Sequence, residues 1–411
     1  MINPTTARRA DRWFGVPLCF LLSLIRRLGR LLRGGIKDRA IRKLCLIKVT
    51  ERGALIVAHQ AFRRAIELVG RDNVYVVIAD EGREIAEVMA LIRPANIVMI
   101  RTRFTLMFFI DWIRALARIR SFKIDAVADM EFSARATSVF TCLSGAGRRA
   151  GFTYSGQPYC GRLLTHEVPY SPYRHMALQY YMLVESLAHG ASSAHVVTRS
   201  SPQLRHPPPE FHRTLEETEQ VCRKLRLPMR TNGAPCIIMS PCVKDLPPLR
   251  AWPERHFDAL AEMLGEANPD SVFILTGTAA ERTRCQMMSD RLRCLRVLNA
   301  AGAITVRELL VLYGMSDLLV TNDSGPAHFA SMTGIKAIVL FGVGSPLLWR
   351  PLRSTAHIVW QNYFCSPCMN AANQRTSTCR HNACMTDITP ERVYRIAIEM
   401  LCAARKLNGD S

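Results

Sequence analysis

Short apolar runs rich in β-branched residues alternate along this chain with longer stretches whose apolar positions recur at helical spacing. The runs 44–48, 74–79, 97–100 and 126–128 read as strands, and the stretches 55–69, 109–119 and 135–143 as helices. Regular alternation of this kind predicts a parallel sheet covered by helices. The pattern breaks at 200–209, rich in Ser and Pro, and an acidic helical stretch with Glu216, Glu217 and Glu219 then leads to a turn at Asn232-Gly233. A second series follows, with strands at 236–239, 272–276, 318–321 and 337–341. Pro253 stands where a first-turn proline belongs, ahead of the stripe Phe257, Leu260, Ala261 and Leu264, and Thr305-x-x-Glu308 has the form of a capping box. The chain thus divides into a basic segment 1–40, an α/β domain 41–205, a linker 206–235, a second α/β domain 236–389 and a terminal helix over 390–411. The fold class is α/β, with two Rossmann-like domains expected to face each other across a cleft at the carboxyl ends of their strands, where parallel sheets bind ligands.

Charge changes the picture at the amino terminus. The chain carries +20 overall, and between Arg8 and Lys43 eleven Lys or Arg stand against two Asp. Leu21, Leu24, Ile25, Leu28, Leu31 and Leu32 fall on one side of a helix, with Arg26, Arg27, Arg30 and Arg33 on the other. The apolar run 14–25 is shorter than the roughly 20 residues a membrane span needs, but suits a helix lying in the headgroup layer of an anionic leaflet. The alternatives are a helix packed on the protein's own surface and a signal-peptide-like segment; Arg residues on both sides of the apolar run argue against cleavage. With 49% hydrophobic and 21% charged residues the remainder is globular. Fourteen scattered cysteines suit a reducing cytoplasm, which with the anchor puts the protein peripherally on the inner face of the cytoplasmic membrane. Nucleic-acid binding, permitted by charge, finds no zinc-finger, RNP or P-loop pattern.

The chemistry concentrates at 318–330. A buried strand ends at Asn322-Asp323, a Ser324-Gly325 turn follows, and a helix opens at Pro326. Ser324 can cap that helix, Gly325 permits close backbone approach, and His328 lies in the first turn, so the segment suits a phosphate; the alternative is an ordinary strand-to-helix turn. Cys365-x2-Cys368-x10-Cys379-x4-Cys384 is the densest cysteine group, open to structural zinc, to reduced thiols in a loop, or to disulfides.

The run Val320 to Ala330, with Gly334 and Leu340-Phe341-Gly342 after it, resembles the donor-site signature of the glycosyltransferase family 9 heptosyltransferases, which transfer heptose from ADP-heptose to a lipopolysaccharide core. Ser240-Pro241-Cys242 is similar to the family's Pro-Gly turn and Arg250-Ala251-Trp252-Pro253 to its Lys/Arg-x-Trp-Pro element. The resemblance implies a GT-B fold, a terminal helix crossing back to the first domain, and a metal-independent, inverting transfer from a nucleotide-diphosphate sugar to a lipid-linked saccharide. No Asp-x-Asp occurs, so the diphosphate charge falls to the helix terminus, His328, Arg250 and Lys244. Glu281 matches the acidic residue that holds the ribose in this family. Its catalytic Asp aligns with Ala54, which takes no proton; Glu131, past the strand 126–128, is the favoured substitute base ahead of Glu51 in the first loop, with two surface carboxylates as the competing reading, and a non-catalytic nucleotide-sugar-binding or scaffolding homologue is the alternative. Because the family's first domain receives the acceptor, Arg162, His166, Arg174 and His175 form the candidate acceptor group, with a solvated loop as the competing reading.

Overall fold

The computed structural model describes residues 13, 15–33, 40–102, 105–132, 135–154, 159, 161–189, 207–227, 234–243, 248–353, 355–370 and 376–409. Lys244, the Asn232-Gly233 turn and most of the Ser/Pro-rich stretch lie outside the described residues, as do the side chains of 29–33. Two compact units divide the chain, Met1–His206 and Pro207–Ser411.

In the first unit β1 (Leu44–Lys48), β2 (Val74–Ala79), β3 (Ile97–Ile100), β4 (Ala126–Asp129), β5 (Arg148–Thr153) and β6 (His166–Pro169) form a sheet ordered β3-β2-β1-β4-β5-β6. Its helices are α1 (Val16–Arg33), α2 (Arg52–Val57), α3 (His59–Val69), α4 (Arg83–Met89), α5 (Thr105–Ser121), α6 (Arg135–Leu143) and α7 (Met176–Ala188). The second unit holds β7 (Cys236–Ser240), β8 (Val272–Leu275), β9 (Arg296–Asn299), β10 (Leu318–Asn322), β11 (Lys336–Phe341) and β12 (Ala356–Trp360), ordered β12-β11-β10-β7-β8-β9. Around it lie α8 (Leu215–Leu225), α9 (Glu254–Ala267), α10 (Arg282–Arg291), α11 (Val306–Gly314), α12 (Gly325–Ala330), α13 (Pro346–Trp349), α14 (Ala383–Thr386) and α15 (Pro390–Gly409). Every strand pairing is parallel.

The eight runs read as strands all pair. β1, β7 and β10 are buried along their whole length, as central strands covered on both faces must be. Four further strands, β5, β6, β9 and β12, carry weaker patterns. Three of them are sheet edges, where one side stays wet and a continuous apolar run is not required. The stretch 55–69 is two helices, α2 and α3, broken at Ala58.

Local chemistry sets the helix starts. Thr214 with Glu217 opens α8 and Thr305 with Glu308 opens α11 through complete capping boxes. Pro253 is the residue before α9 rather than inside its first turn. Phe257, Leu260, Ala261 and Leu264 all enter the core of the second unit, which Val393, Ala397 and Leu401 of α15 also join. Within the segment expected as a linker, α8 belongs to the second unit and is tied to α11 by Lys224–Glu308 and Arg307–Glu217 ion pairs of 2.7 and 2.6 Å.

Candidate functional site

The second unit gathers its chemistry at the carboxyl end of β10. Asn322, fully buried, accepts from the Trp252 amide at 2.9 Å and donates Nδ2 to the Pro241 carbonyl at 2.9 Å. One side chain thereby staples the loops after β7 and before α9 to the end of β10. Trp252 in turn donates Nε1 to the Ile388 carbonyl at 2.7 Å. This stapling brings Arg250 against Asp323.

Asp323 Oδ2 stands 3.5 Å from Arg250 Nη1, an ion pair with both side chains nearly excluded from water. Neither Asp323 Oδ2 nor Arg250 Nε has a hydrogen-bond partner among the described residues. Burial pushes the Asp323 carboxyl above its ordinary range, and the Arg250 charge opposes that shift. Gly344 covers the pair: a Cβ there would collide with Asp323 Oδ2.

Ser324 occupies the N-cap position of α12 but makes no side-chain cap, contrary to the expectation. Its Oγ instead donates to the Asn322 carbonyl at 3.2 Å. A Cβ on Gly325 would meet only the Phe329 ring, at 3.4 Å, so space alone does not require glycine there. His328 is buried and sits edge-on to Trp349 at 6.4 Å between ring centroids. Glu281 Oε2 accepts from the Thr278 amide and hydroxyl at 2.7 and 2.8 Å, which gives this carboxylate a capping task.

In the first unit Glu131 lies just past β4 and is buried beside the end of β1. Its Oε1 accepts from the Val49 and Thr50 amides at 2.7 Å each, its Oε2 from Thr50 Oγ1 at 2.5 Å, and Lys48 Nζ lies 3.1 Å from both. Lys48 is itself buried. The carboxylate therefore spends its acceptor capacity on fixing the first loop, an arrangement the sequence did not announce. Asp129 accepts from the Glu131 amide at 3.1 Å, and burial pushes its carboxyl up to about 7. Glu51, half-buried, enters α2 at φ 60° and ψ 97°. Ala54 is buried inside α2.

The four acceptor-side residues do not form one cluster. Arg162 and His166 lie at the amino end of β6, where the Arg162 amide donates to Ser23 Oγ and buried His166 is bonded to Thr165 Oγ1 and the His189 carbonyl. Arg174 and His175 follow its carboxyl end, and His175 Nδ1 caps α7 by accepting from the Ala177 amide. The strand itself separates the pairs.

Among the described residues no group of three or more His, Cys, Asp or Glu side chains stands in a metal-holding arrangement. Cys365, Cys368, Cys379 and Cys384 do share one neighbourhood: burial first, then the other three thiols, pushes Cys384 up to about 11. Cys368 Sγ donates to Ser377 Oγ and Cys379 Sγ accepts from the Asn382 amide, each at 3.3 Å. No disulfide joins the described cysteines.

Two α/β units, each built on a six-stranded parallel sheet, are the architecture of the GT-B class of glycosyltransferases. Comparison with known proteins gives the family: residues 112–378 match the model of glycosyltransferase family 9 (heptosyltransferase), and the chain belongs to it. It is 28% identical over 163 residues to a lipooligosaccharide heptosyltransferase 2 of Campylobacter jejuni, covering 37% of this chain and 47% of that one. Against the enzyme of the same name from Haemophilus influenzae it is 34% identical over 117 residues, 27% of this chain and 33% of that one. The matches thus span less than half the length of these relatives. In fold it is similar to the solved ADP-heptose lipopolysaccharide heptosyltransferase II of E. coli, with TM-score 0.68, 17% identity and coverage of 88% and 99%. A family 9 glycosyltransferase from Veillonella parvula gives TM-score 0.69 at 15% identity, with coverage of 90% and 100%.

Proposed function

We propose that this chain transfers a sugar, heptose or a related one, from a nucleotide diphosphate onto a hydroxyl of lipopolysaccharide or another envelope glycan, with inversion and without a metal. The observation that carries the reading is the buried Arg250–Asp323 pair. Its Oδ2 and Nε, without hydrogen-bond partners among the described residues, keep polar capacity for a ligand in surroundings otherwise closed to water. Arg250 and His328, with the backbone at Ser324 and Gly325, supply positive potential to the departing diphosphate. The first donor to test is an adenine nucleotide sugar, a choice supported by a solved E. coli heptosyltransferase holding ADP.

The proposed base is Glu51. Glu131 has its oxygens engaged by the first loop, whereas Glu51 holds a positive φ that non-glycine residues adopt rarely and disproportionately at functional positions. In the transfer, the acceptor oxygen bonds to the anomeric carbon, its proton passes to Glu51, and the carbon–oxygen bond to the diphosphate breaks with its electron pair. Arg174, past the carboxyl end of β6, is retained as an acceptor contact. For the four cysteines the reading is reduced thiols, supported by the bonds of Cys368 and Cys379 within their loop. The basic amino terminus supports work at the anionic inner face of the cytoplasmic membrane.

The alternative is a nucleotide-sugar-binding homologue without turnover, favoured by Ala54, a side chain that cannot take a proton. Calorimetry with ADP, GDP and UDP sugars, followed by a transfer assay on lipid-linked acceptor, separates the readings. Binding with acceptor-dependent release of nucleoside diphosphate is the expected result. Binding without transfer moves the protein to the alternative, and no binding removes both.

A further inference from the structure

Helix α1 docks on its own unit through an unusual face. Cys19 is fully buried with Val139 and Leu163, Ser23 Oγ accepts from the Arg162 amide at 3.0 Å, and Arg26 Nη1 donates to the Leu163 carbonyl. The small and polar side of the helix thus faces protein. Its apolar arc faces outward: Phe20, Leu21, Leu24, Ile25 and Leu28 are between 44% and 62% exposed. A water-facing helix is expected to be oriented the other way round.

A second outward stripe lies nearby. On α5, Phe108, Trp112, Ala115 and Ile119 pack toward the sheet, while Leu106, Phe109 and Ile113 are 69%, 57% and 64% exposed at helical spacing. Leu22 of α1 and Trp112 of α5 pack on the same cluster around Val139 of α6, so the two helices are neighbours on one side of the first sheet. The charge around them has one sign. Arg27, Arg114, Arg118 and Arg120 are exposed, α1 contains no acidic residue, and the one on α5, Asp111, is buried against Arg101 at 2.7 Å. A second copy of the chain would bring the same cations against themselves, whereas an anionic lipid surface complements both the apolar stripes and the arginines.

We propose that α1 and α5 form a single docking surface for an anionic phospholipid bilayer, with Leu106, Phe109 and Ile113 entering the headgroup layer beside Leu21, Leu24 and Leu28. The proposal rests on the membrane reading above and adds a second helix, outside the basic amino terminus, to the contact. The mode is interfacial, since among the described residues no helix is long and apolar enough to cross a membrane.

The test uses the full chain and vesicles of phosphatidylglycerol with phosphatidylethanolamine, or of phosphatidylcholine alone, in co-sedimentation. Phe109→Glu/Ile113→Glu is compared with Leu215→Glu, a control at an 81% exposed leucine of the second unit. Phe109→Ser/Ile113→Ser serves if the charged pair disturbs folding, and circular dichroism with ADP binding reports on the fold. Wild type is expected to bind the anionic vesicles only, the α5 variants to bind them roughly tenfold or more weakly, and Leu215→Glu to match wild type. Wild-type binding that the α5 variants leave unchanged overturns the two-helix surface while sparing the basic anchor. Absence of wild-type binding overturns both. Conversion of a dimer to a monomer by the α5 variants, with vesicle binding unaltered, assigns the stripe to a second copy and also overturns the proposal. None of these outcomes bears on the donor site, which ADP binding judges separately.

Discussion

The substitution Glu131→Gln preserves the shape of a side chain while removing its charge and replacing one acceptor oxygen with a donor. In the structure Oε1 receives two backbone amides at 2.7 Å, Oε2 receives the Thr50 hydroxyl, and the Lys48 ammonium lies 3.1 Å from both. Whichever way the new amide turns, its NH2 meets either two N–H groups or an ammonium. Lys48, 3% exposed, loses its ion-pair partner and keeps only the weaker interaction with the Asp129 carboxyl. Breaking a buried pair in this way costs about 3–5 kcal/mol. For a unit of about 200 residues, at about 2–4 °C per kcal/mol, the melting temperature of the first unit should fall by about 6–20 °C. Replacing both partners, as Lys48→Met/Glu131→Gln, should recover much of the loss because no buried charge is then stranded. Thermal melting of the full chain, with ADP affinity measured below the transition, reads the effect. A Glu131→Gln protein that melts like wild type yet turns over about 10²–10⁴-fold more slowly would refute the anchoring argument and make Glu131 the base.

Glu51→Gln is expected to lower turnover by about 10²–10⁴-fold at nearly constant nucleotide affinity, measured by steady-state transfer and calorimetry. Asp323→Ala and His328→Ala should each weaken nucleoside-diphosphate binding without unfolding the chain; unchanged affinity in both would remove the donor-site assignment. Gly344→Ala should either abolish that binding or lower the melting temperature of the second unit, since its Cβ would collide with the buried Asp323 carboxylate. Asp129, held near 7 against an ordinary 3.8, favours the folded state most below pH 4, and that contribution is lost as pH rises toward 7. Asp129→Asn should therefore flatten the pH dependence of melting between those limits, gaining at most about 4 kcal/mol over wild type at pH 8.

Both sheets were legible because central parallel strands are buried on both faces, and the runs at β1, β7 and β10 are apolar up to the polar residues at their carboxyl ends. The edge strands escaped because β6 exposes alternate residues and β9 is wetted throughout. Of the candidate donor-site residues, Asp323 and His328 stand on one contiguous strand, turn and helix, whereas Arg250, 73 residues before Asp323, was singled out through its Arg-x-Trp-Pro resemblance. Asn322 could not be assigned its task, because its partners Pro241 and Trp252 lie 81 and 70 residues away in sequence. Glu131 was singled out as a carboxylate past a strand end. Its saturation by Lys48, Val49 and Thr50 depends on the pairing of β1 with β4, which residue spacing does not encode. The acceptor-side group failed as a cluster for a related reason: residues close in sequence on both sides of a strand end up at its opposite ends.

The stapling by Asn322 bears on how a donor would be captured. Because both ends of its amide are already committed, and Trp252 is held from its other side by Ile388, Pro241 and Trp252 are tied to the end of β10 before any ligand arrives. A partner entering such a site has little loop to order, so little of the association free energy is lost to immobilising protein. On the proposed function, encounter is then expected to be a one-step event whose rate, read by stopped-flow, follows ligand concentration without a plateau. On the proposed function the site would work as a fixed socket, with selectivity among donors resting on shape and charge already in position.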